Sequence, residues 1–528
     1  MKKLILFSII TILSISTLLA QPCFPYGITF TSQAQIDSFS IQYTNCTEIE
    51  NDLIIAGSDI TNLDGLSVIT SVNSDLIIGN STTGNPLLTN LSGLINISHL
   101  GFKLIIQNNP SLVNLSGLDS IPLINGECSI LNNSVLESFE GLNKIAVIRG
   151  YFNIKNNPLI QDMSGLDLLR YVKFDFNITN NESLVSFIGL DEFIKINGSL
   201  VILNNDSLQN LDGLENLYYI KNTIYIVNNY LLTDISGLTL IDKLDDALHI
   251  AENYSLDSIV GLDKLETIGS LFITDNNSLV TLGGLNGLKS IESQVEISRN
   301  DKLNNLTGLE NLASIGGGLR LENNGEAPSA LSSLQGLENL EEIGSNLIIQ
   351  SQPVLSDISS LLNLVEVGRH IIFRNNYLLP SLYGLDNIDA NSITYLSISH
   401  NPLLSTCEVA SICSYLEIPN STSYIQYNSP GCNNEMEVQV ACNQVDIESH
   451  IAHQFDLYPN PANNYLKIDS FDNQNINEIN IYNQFGIKVY SEKFIHNIID
   501  ISNINKGLYI IELVTDNTTF RKKIIFMD

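Results

Sequence analysis

Positive charge is scarce in this chain: 25 Lys and Arg stand against 57 Asp and Glu, a formal net charge of −32 at pH 7. The deficit is local. Phe455 to Asp528 hold 7 bases and 9 acids, and the first twenty residues hold only Lys2 and Lys3, so residues 21–454 carry 16 bases against 48 acids. A surface this acidic repels phosphate backbones and anionic bilayers, so neither nucleic acid nor a peripheral membrane surface is an expected partner. Its plainest effect is solubility. Long apolar runs are also missing beyond residue 20, so no transmembrane segment is expected after the N-terminal leader.

Histidine is sparse, and none of His99, His249, His370, His400, His450, His453 or His496 falls in an H-E-x-x-H or comparable metal pattern. The chain has no G-x-S-x-G, no P-loop and no dinucleotide fingerprint. Its paired carboxylates, Asp245-Asp246 and Glu341-Glu342, lack any spacing that would set them across a cleft, and no calcium loop of the D-x-[DN]-x-[DN]-G type occurs. No cofactor or metal is therefore expected, and the chain reads as a non-enzyme.

What is present begins with an export signal. Lys2-Lys3, the mostly apolar run Leu4 to Leu13 and the small residues Ser16, Thr17 and Ala20 read as a cleaved signal peptide. Seven cysteines suit an exported protein. Cys23 and Cys46 bracket the entrance to the central region, and Cys407, Cys413, Cys432 and Cys442 cluster just past its end. These six read as disulfide cysteines, with the pairing of the last four open. Cys128 is the odd one, placed as a small buried hydrophobe.

The central region is a repeat. Gly-Leu pairs start at Gly65, Gly93, Gly117, Gly141, Gly165, Gly189, Gly213, Gly237, Gly261, Gly284, Gly308, Gly336 and Gly384, mostly 24 residues apart, and Ser360-Leu361 fills the one missing beat. Four-residue insertions near Ser81–Gly84 and Gly325–Ser329 account for the two intervals of 28. One turn reads Leu200-Val-Ile202-Leu-Asn-Asn205, Leu208, Leu211, Gly213-Leu214, Leu217, Ile220. Its opening alternates with period two, as a strand with one buried face does. Its remainder places apolar residues every third position, which suits a tight 3₁₀-like path.

The Asn closing each strand has a physical task, because turns buried between coils leave backbone groups without sheet partners. A column of Asn85, Asn109, Asn133, Asn157, Asn181, Asn205, Asn229, Asn253, Asn276, Asn300, Asn324, Asn376 and Asn401 would satisfy them from within, with Ser58 and Gln352 as breaks. A structural ladder is the expectation here, ahead of a ligand site.

This pattern resembles the leucine-rich repeats of the receptor L-domain type over about residues 23–442, including Cys407-Glu-Val-Ala-Ser-Ile-Cys413 through Gly431-Cys432 to Ala441-Cys442. The resemblance implies a mainly β, right-handed solenoid of about fifteen coils from Leu53 to Ile398. It does not imply a function, because the scaffold serves many partners.

The last 74 residues differ in kind. Short alternating strands separated by turn residues suggest a small β-sandwich of immunoglobulin-like build. Its Tyr-Pro459-Asn460-Pro461 entry, its Gly507-Leu-Tyr509 segment and its final Lys523-Ile-Ile-Phe strand resemble the C-terminal sorting domain of proteins exported by the type IX secretion system of Bacteroidetes. That resemblance implies the type IX machinery as a partner, passage through the periplasm, and attachment to the cell surface or release. The division is thus a signal peptide at 1–20, an N-terminal cap at 21–52, the solenoid at 53–403, a cysteine-containing cap at 404–443, a linker at 444–454 and the sorting domain at 455–528.

A solenoid offers partners one long sheet with regularly spaced outward residues. The position between the two inward residues of each strand includes Tyr225, His249 and Phe272, with Arg320 two coils beyond. Aromatic area beside a cation is the currency of binding surfaces, so these four are the candidate face for an unidentified protein or glycan ligand. The competing reading is that the rings pack on their sheet neighbours. The expected function is an exported or surface-held recognition protein. A passive surface coat is the alternative, and an accessory to an exported hydrolase comes third.

Overall fold

The computed structural model describes residues 21–325, 331–452, 455–458, 462, 465–470, 476–483, 487–493, 498–515 and 519–526. The leader, Pro459, Asn460, Pro461 and His453 lie outside these residues.

Strand Leu200–Leu203 shows how a coil is built. Leu200 and Ile202 point inward and are fully buried, while Val201 faces out. The chain then turns through Asn204 at φ +55° and descends past buried Leu208, Leu211, Leu214 and Leu217. Three-residue turns carry the descent: Leu208 N–H donates to Asn205 O at 3.0 Å, Leu214 to Leu211 at 3.1 Å and Leu217 to Leu214 at 2.9 Å. A two-residue strand, Tyr219–Ile220, closes the opposite face.

Coils stack in parallel and in register. Leu200 lies beside Ile224, Val201 beside Tyr225 and Ile202 beside Ile226, so one 24-residue step carries each side chain onto its equivalent. Seventeen such strands form one sheet, from Ile28–Phe30 to Ser423–Gln426. These two end strands each pair with a single neighbour, Leu53–Ile55 and Tyr395–Ser399, so the sheet is an open ribbon. At a strand spacing of about 4.8 Å it extends roughly 80 Å. It has two strands more than the repeat alone foretells, because each cap contributes one whose sequence lacks the consensus.

Glycine at the Gly-Leu beat answers to the approach of the preceding coil as well as to its own backbone. Gly213 has φ +105°, and a Cβ there would sit 2.1 Å from the Phe187 carbonyl oxygen. Ser360 stands at this beat in a short 3₁₀ turn, Ser359–Leu361, outside the left-handed region that Gly213 occupies.

The short strands on the opposite face form three ribbons. The first, of four strands, ends at His99–Leu100, and the second starts at Leu123–Ile124. Pro122 explains that break. Ser98 N–H donates to Thr70 O, and Ala146 N–H donates to Pro122 O, but Pro122 has no N–H to reach Ser98.

Both ends are closed. Helix α1 (Gln33–Gln42) buries Ile36 and Phe39 over the first coils, and Phe39 meets the rings of Phe24, Phe30 and Tyr43. The Cys23–Cys46 disulfide, Cα atoms 5.7 Å apart, ties this cap to the first short strands. At the far end α2 (Ala410–Glu417) buries Ile412 and Tyr415, and Cys407–Cys432 and Cys413–Cys442 are the disulfides. Helix α3 (Glu435–Ala452) runs on through the stretch read as a polar linker. Residues 444–452 contain neither Pro nor Gly to stop it. Cys128 is buried and unpaired, and burial pushes its thiol pKa up.

The C-terminal domain has two antiparallel sheets. One joins Phe455–Tyr458, Tyr465–Ser470 and Ile498–Asp500, and the other joins Lys488–Lys493, Ile476–Asn483, Gly507–Thr515 and Thr519–Phe526. Leu466, Ile468, Ile481 and Ile511 fill its core. Gly507 opens its longest strand, Tyr509 stacks on Phe526 at 4.7 Å and donates its hydroxyl to Asn505 O, and Lys523 pairs in register with Ile510.

Candidate functional site

The ladder asparagines lie inside the turns and are fully engaged. Asn205 Nδ2 donates to Ile178 O at 3.0 Å and Leu203 O at 3.2 Å, its Oδ1 accepts from Asn181 N–H at 3.1 Å, and its own N–H donates to Asn229 Oδ1 at 3.1 Å. The arrangement recurs coil after coil, and every Asn in it from Asn85 to Asn401 is fully buried. Gln352 does not interrupt the column. Its Oε1 accepts from Asn324 N–H and its N–H donates to Asn376 Oδ1, because the longer side chain still reaches the neighbouring backbone. Asn428, which the sequence reading passed over, extends the column by accepting from Asn401. Its spacing of 27 from Asn401 and its place among the cap cysteines hid it. With their hydrogen bonds spent on backbone, these amides have no capacity for a ligand.

On the outer side of the sheet, register sets Tyr225 beside His249 and His249 beside Phe272. The ring centroids are 4.7 Å and 5.4 Å apart, and all three rings are half-exposed. Packing on sheet neighbours and offering a face to solvent therefore coexist. Burial lowers the His249 pKa, and the Glu296 and Glu252 carboxylates act against that shift. The net shift favours the neutral imidazole, as suits a ring packed between two others.

Arg320 is not part of this cluster. Glu296 stands between it and Phe272 in the sheet, and its guanidinium is held by Glu322 in its own strand, with Nε 2.8 Å from Oε2. On the other side of the rings, past Val201, the row turns to amides: Asn177 Nδ2 donates to Asn153 Oδ1 at 2.8 Å, and Asn153 to Ser129 Oγ at 2.9 Å. The outer face thus grades from neutral amides through three rings to a carboxylate and an ion-paired arginine.

A second surface went unnoticed in the sequence. The residue just before each ladder Asn occupies the left-handed region, and at Asn132, Asn156, Asn180, Asn204 and Asn228 it places an amide on the rim of the sheet. The signal was available as a repeated Asn-Asn pair, but only one Asn of each pair has a buried task. Among the described residues no three His, Cys, Asp or Glu side chains gather as a metal set, and no helix is long and apolar enough to cross a membrane.

The class of protein this defines is a capped parallel β-solenoid carrying a small terminal β domain. Residues 456–527 match the family described as the secretion system C-terminal sorting domain. Such a domain marks proteins exported by type IX secretion, so the chain is secreted or attached at the cell surface. Among solved structures, a chain in the structure of the Toll–Spatzle complex of Drosophila is similar at 14% identity and a TM-score of 0.22. The match covers 75% of this chain and 63% of that one. No curated protein matches the chain.

Proposed function

We propose that this chain is an exported, non-enzymatic recognition protein that holds its partner against the outer face of the sheet, centred on Tyr225, His249 and Phe272. The observation that carries the reading is the contiguous three-ring strip: Tyr225, His249 and Phe272 stand in register on adjacent strands of the sheet, packed on one another and each still partly open to solvent. Aromatic groups fixed in advance lose little freedom on binding, so they return most of their contact energy as affinity. Arg320, tied to Glu322, contributes at the margin. The finer assignment, a receptor L-domain-type surface protein of Bacteroidetes delivered by type IX secretion, is part of this proposal and is supported by the cysteine-closed caps and the sorting domain.

The passive-coat reading needs only acidity and repetition. The test is retention of the purified chain on a panel of cells, polysaccharides and proteins, comparing wild type with Tyr225→Ala/Phe272→Ala. Saturable retention on one surface, weakened about tenfold in the variant, supports recognition. No saturable retention on any surface supports the coat, and retention unchanged in a folded variant overturns the ring strip as the binding face. Turnover of any panel member would revive the hydrolase reading.

A further inference from the structure

The rim of the sheet carries a groove distinct from the ring strip. Over five coils its wall is a second ladder of amides. Asn156 Nδ2 donates to Asn132 Oδ1 at 2.6 Å, Asn180 to Asn156 at 2.9 Å, Asn204 to Asn180 at 2.9 Å and Asn228 to Asn204 at 2.7 Å. The groove has a volume of about 700 Å³, and Glu182 and Asp206 bring carboxylates to it. Tyr230 and Tyr254, both partly exposed, stack at 5.3 Å at its end. Beyond them lies a separate groove of about 630 Å³, lined by the Arg299–Asp275 ion pair and Tyr377.

The backbone does not demand asparagine here. Glu252, Arg299, Ser351 and His400 hold the same position in other coils at φ between +54° and +59°. Asn tolerates that region better than most residues, but the consecutive run goes beyond tolerance. The three inner amides, Asn156, Asn180 and Asn204, each spend one N–H and one lone pair on their neighbours and keep one of each, so their coils present a donor beside an acceptor about 4.8 Å from the next pair, while Asn132 only accepts and Asn228 only donates along the run.

We propose that this groove binds a linear, neutral polysaccharide lying along the solenoid axis. A hydroxyl group is both donor and acceptor, which is what each inner coil offers. A regular one-dimensional array suits a polymer whose repeat is one ring long. The carboxylates accept hydroxyl hydrogen bonds and repel polyanions, which excludes acidic glycans. The stacked, partly exposed Tyr230–Tyr254 pair sets aromatic surface at the groove's end, against which the C–H groups of a sugar can pack. An extended peptide is disfavoured because the amide wall offers no apolar pocket for its side chains.

The test is titration of the purified full chain with linear hexasaccharides of neutral glucan, xylan and mannan, with polygalacturonate and an extended polar peptide as controls. At least one neutral hexasaccharide binds. Asn180→Gly/Asn204→Gly, which keeps the left-handed turn, weakens it about tenfold, and Tyr230→Ala/Tyr254→Ala has a comparable effect. Tyr225→Ala/Phe272→Ala on the outer face leaves it unchanged, which separates this site from the ring strip. Should the glycine variant fail to fold, the tyrosine variant reads the same groove. Binding of none of the neutral sugars, a preference for polygalacturonate or the peptide, or affinity that survives both groove variants would overturn the proposal.

Discussion

Two asparagines one position apart have opposite lives in this molecule. Asn205 is sealed in a turn with its amide bonded to three backbone groups, while Asn204 beside it looks onto the rim. Removing the first amide leaves buried carbonyls and an N–H without partners, and such orphaned groups cost about 1–3 kcal/mol each. Asn205→Ala is therefore expected to destabilise the fold by roughly 3 kcal/mol. The rim substitution Asn156→Gly stays below about 1 kcal/mol, because water replaces its bonds. Urea unfolding of the two variants checks the contrast, and equal losses would refute the division of labour. The buried column was legible because its spacing is strict, and Gln352 was misjudged because a pattern of identities does not register reach.

His249 supports a prediction in pH. Its folded pKa is lowered, mainly by burial, so between that value and the ordinary imidazole value of about 6.5 the unfolded chain binds more protons than the folded one. Its contribution to stability is thus fully present above about pH 6.5 and is lost as pH falls towards the folded value. An NMR titration of His249 gives a pKa below the ordinary value, and Glu296→Gln moves it lower still by removing a carboxylate that favours the charged ring. A pKa at or above the ordinary value would contradict the packing described.

At the scale of the coil, the sequence pattern reads out almost directly. Strand, three-residue turns and Gly-Leu corner each follow from the spacing of apolar residues, and one coil predicts the next because each contacts only its neighbours. The ends were harder. Strands Ile28–Phe30 and Ser423–Gln426 join the sheet without the consensus, and the cap helices are set by what they must cover. The disulfide pairing also needed the folded chain, since four clustered cysteines allow three connectivities.

Those end bonds carry an element-scale prediction. Cys413–Cys442 closes a loop with a sequence separation of 29, a constraint contributing about 3 kcal/mol. Cys413→Ser/Cys442→Ser is expected to speed hydrogen exchange in Tyr395–Ser399 and Ser423–Gln426 while leaving Leu200–Leu203 unchanged. Uniform loosening along the array would show that the coils are coupled more strongly than nearest-neighbour stacking allows.

The whole molecule pairs a scaffold with an address. The sorting domain was readable from short motifs at the chain's end, although Pro459, Asn460 and Pro461 lie outside the described residues. Expressed in its native cell without residues 455–528, the solenoid is expected to remain in the periplasm. With them it reaches the cell surface or the medium, as fractionation followed by immunoblotting would show. The proposed binding face was only partly legible. The ring row followed from alternation, but nothing in the spacing revealed that Glu322 would claim Arg320 or that a second row of amides would line the rim.

The central claim is that an exported, rigid sheet recognises its partner through three contiguous rings. Hydroxyl-radical footprinting tests it most directly, with and without the cells or polymer that retain the protein. Oxidation of Tyr225, His249 and Phe272 is expected to fall together on binding, while that of Tyr151 and Phe174, exposed at a different strand entrance, stays constant. Full labelling of the three rings in the bound protein would contradict the account.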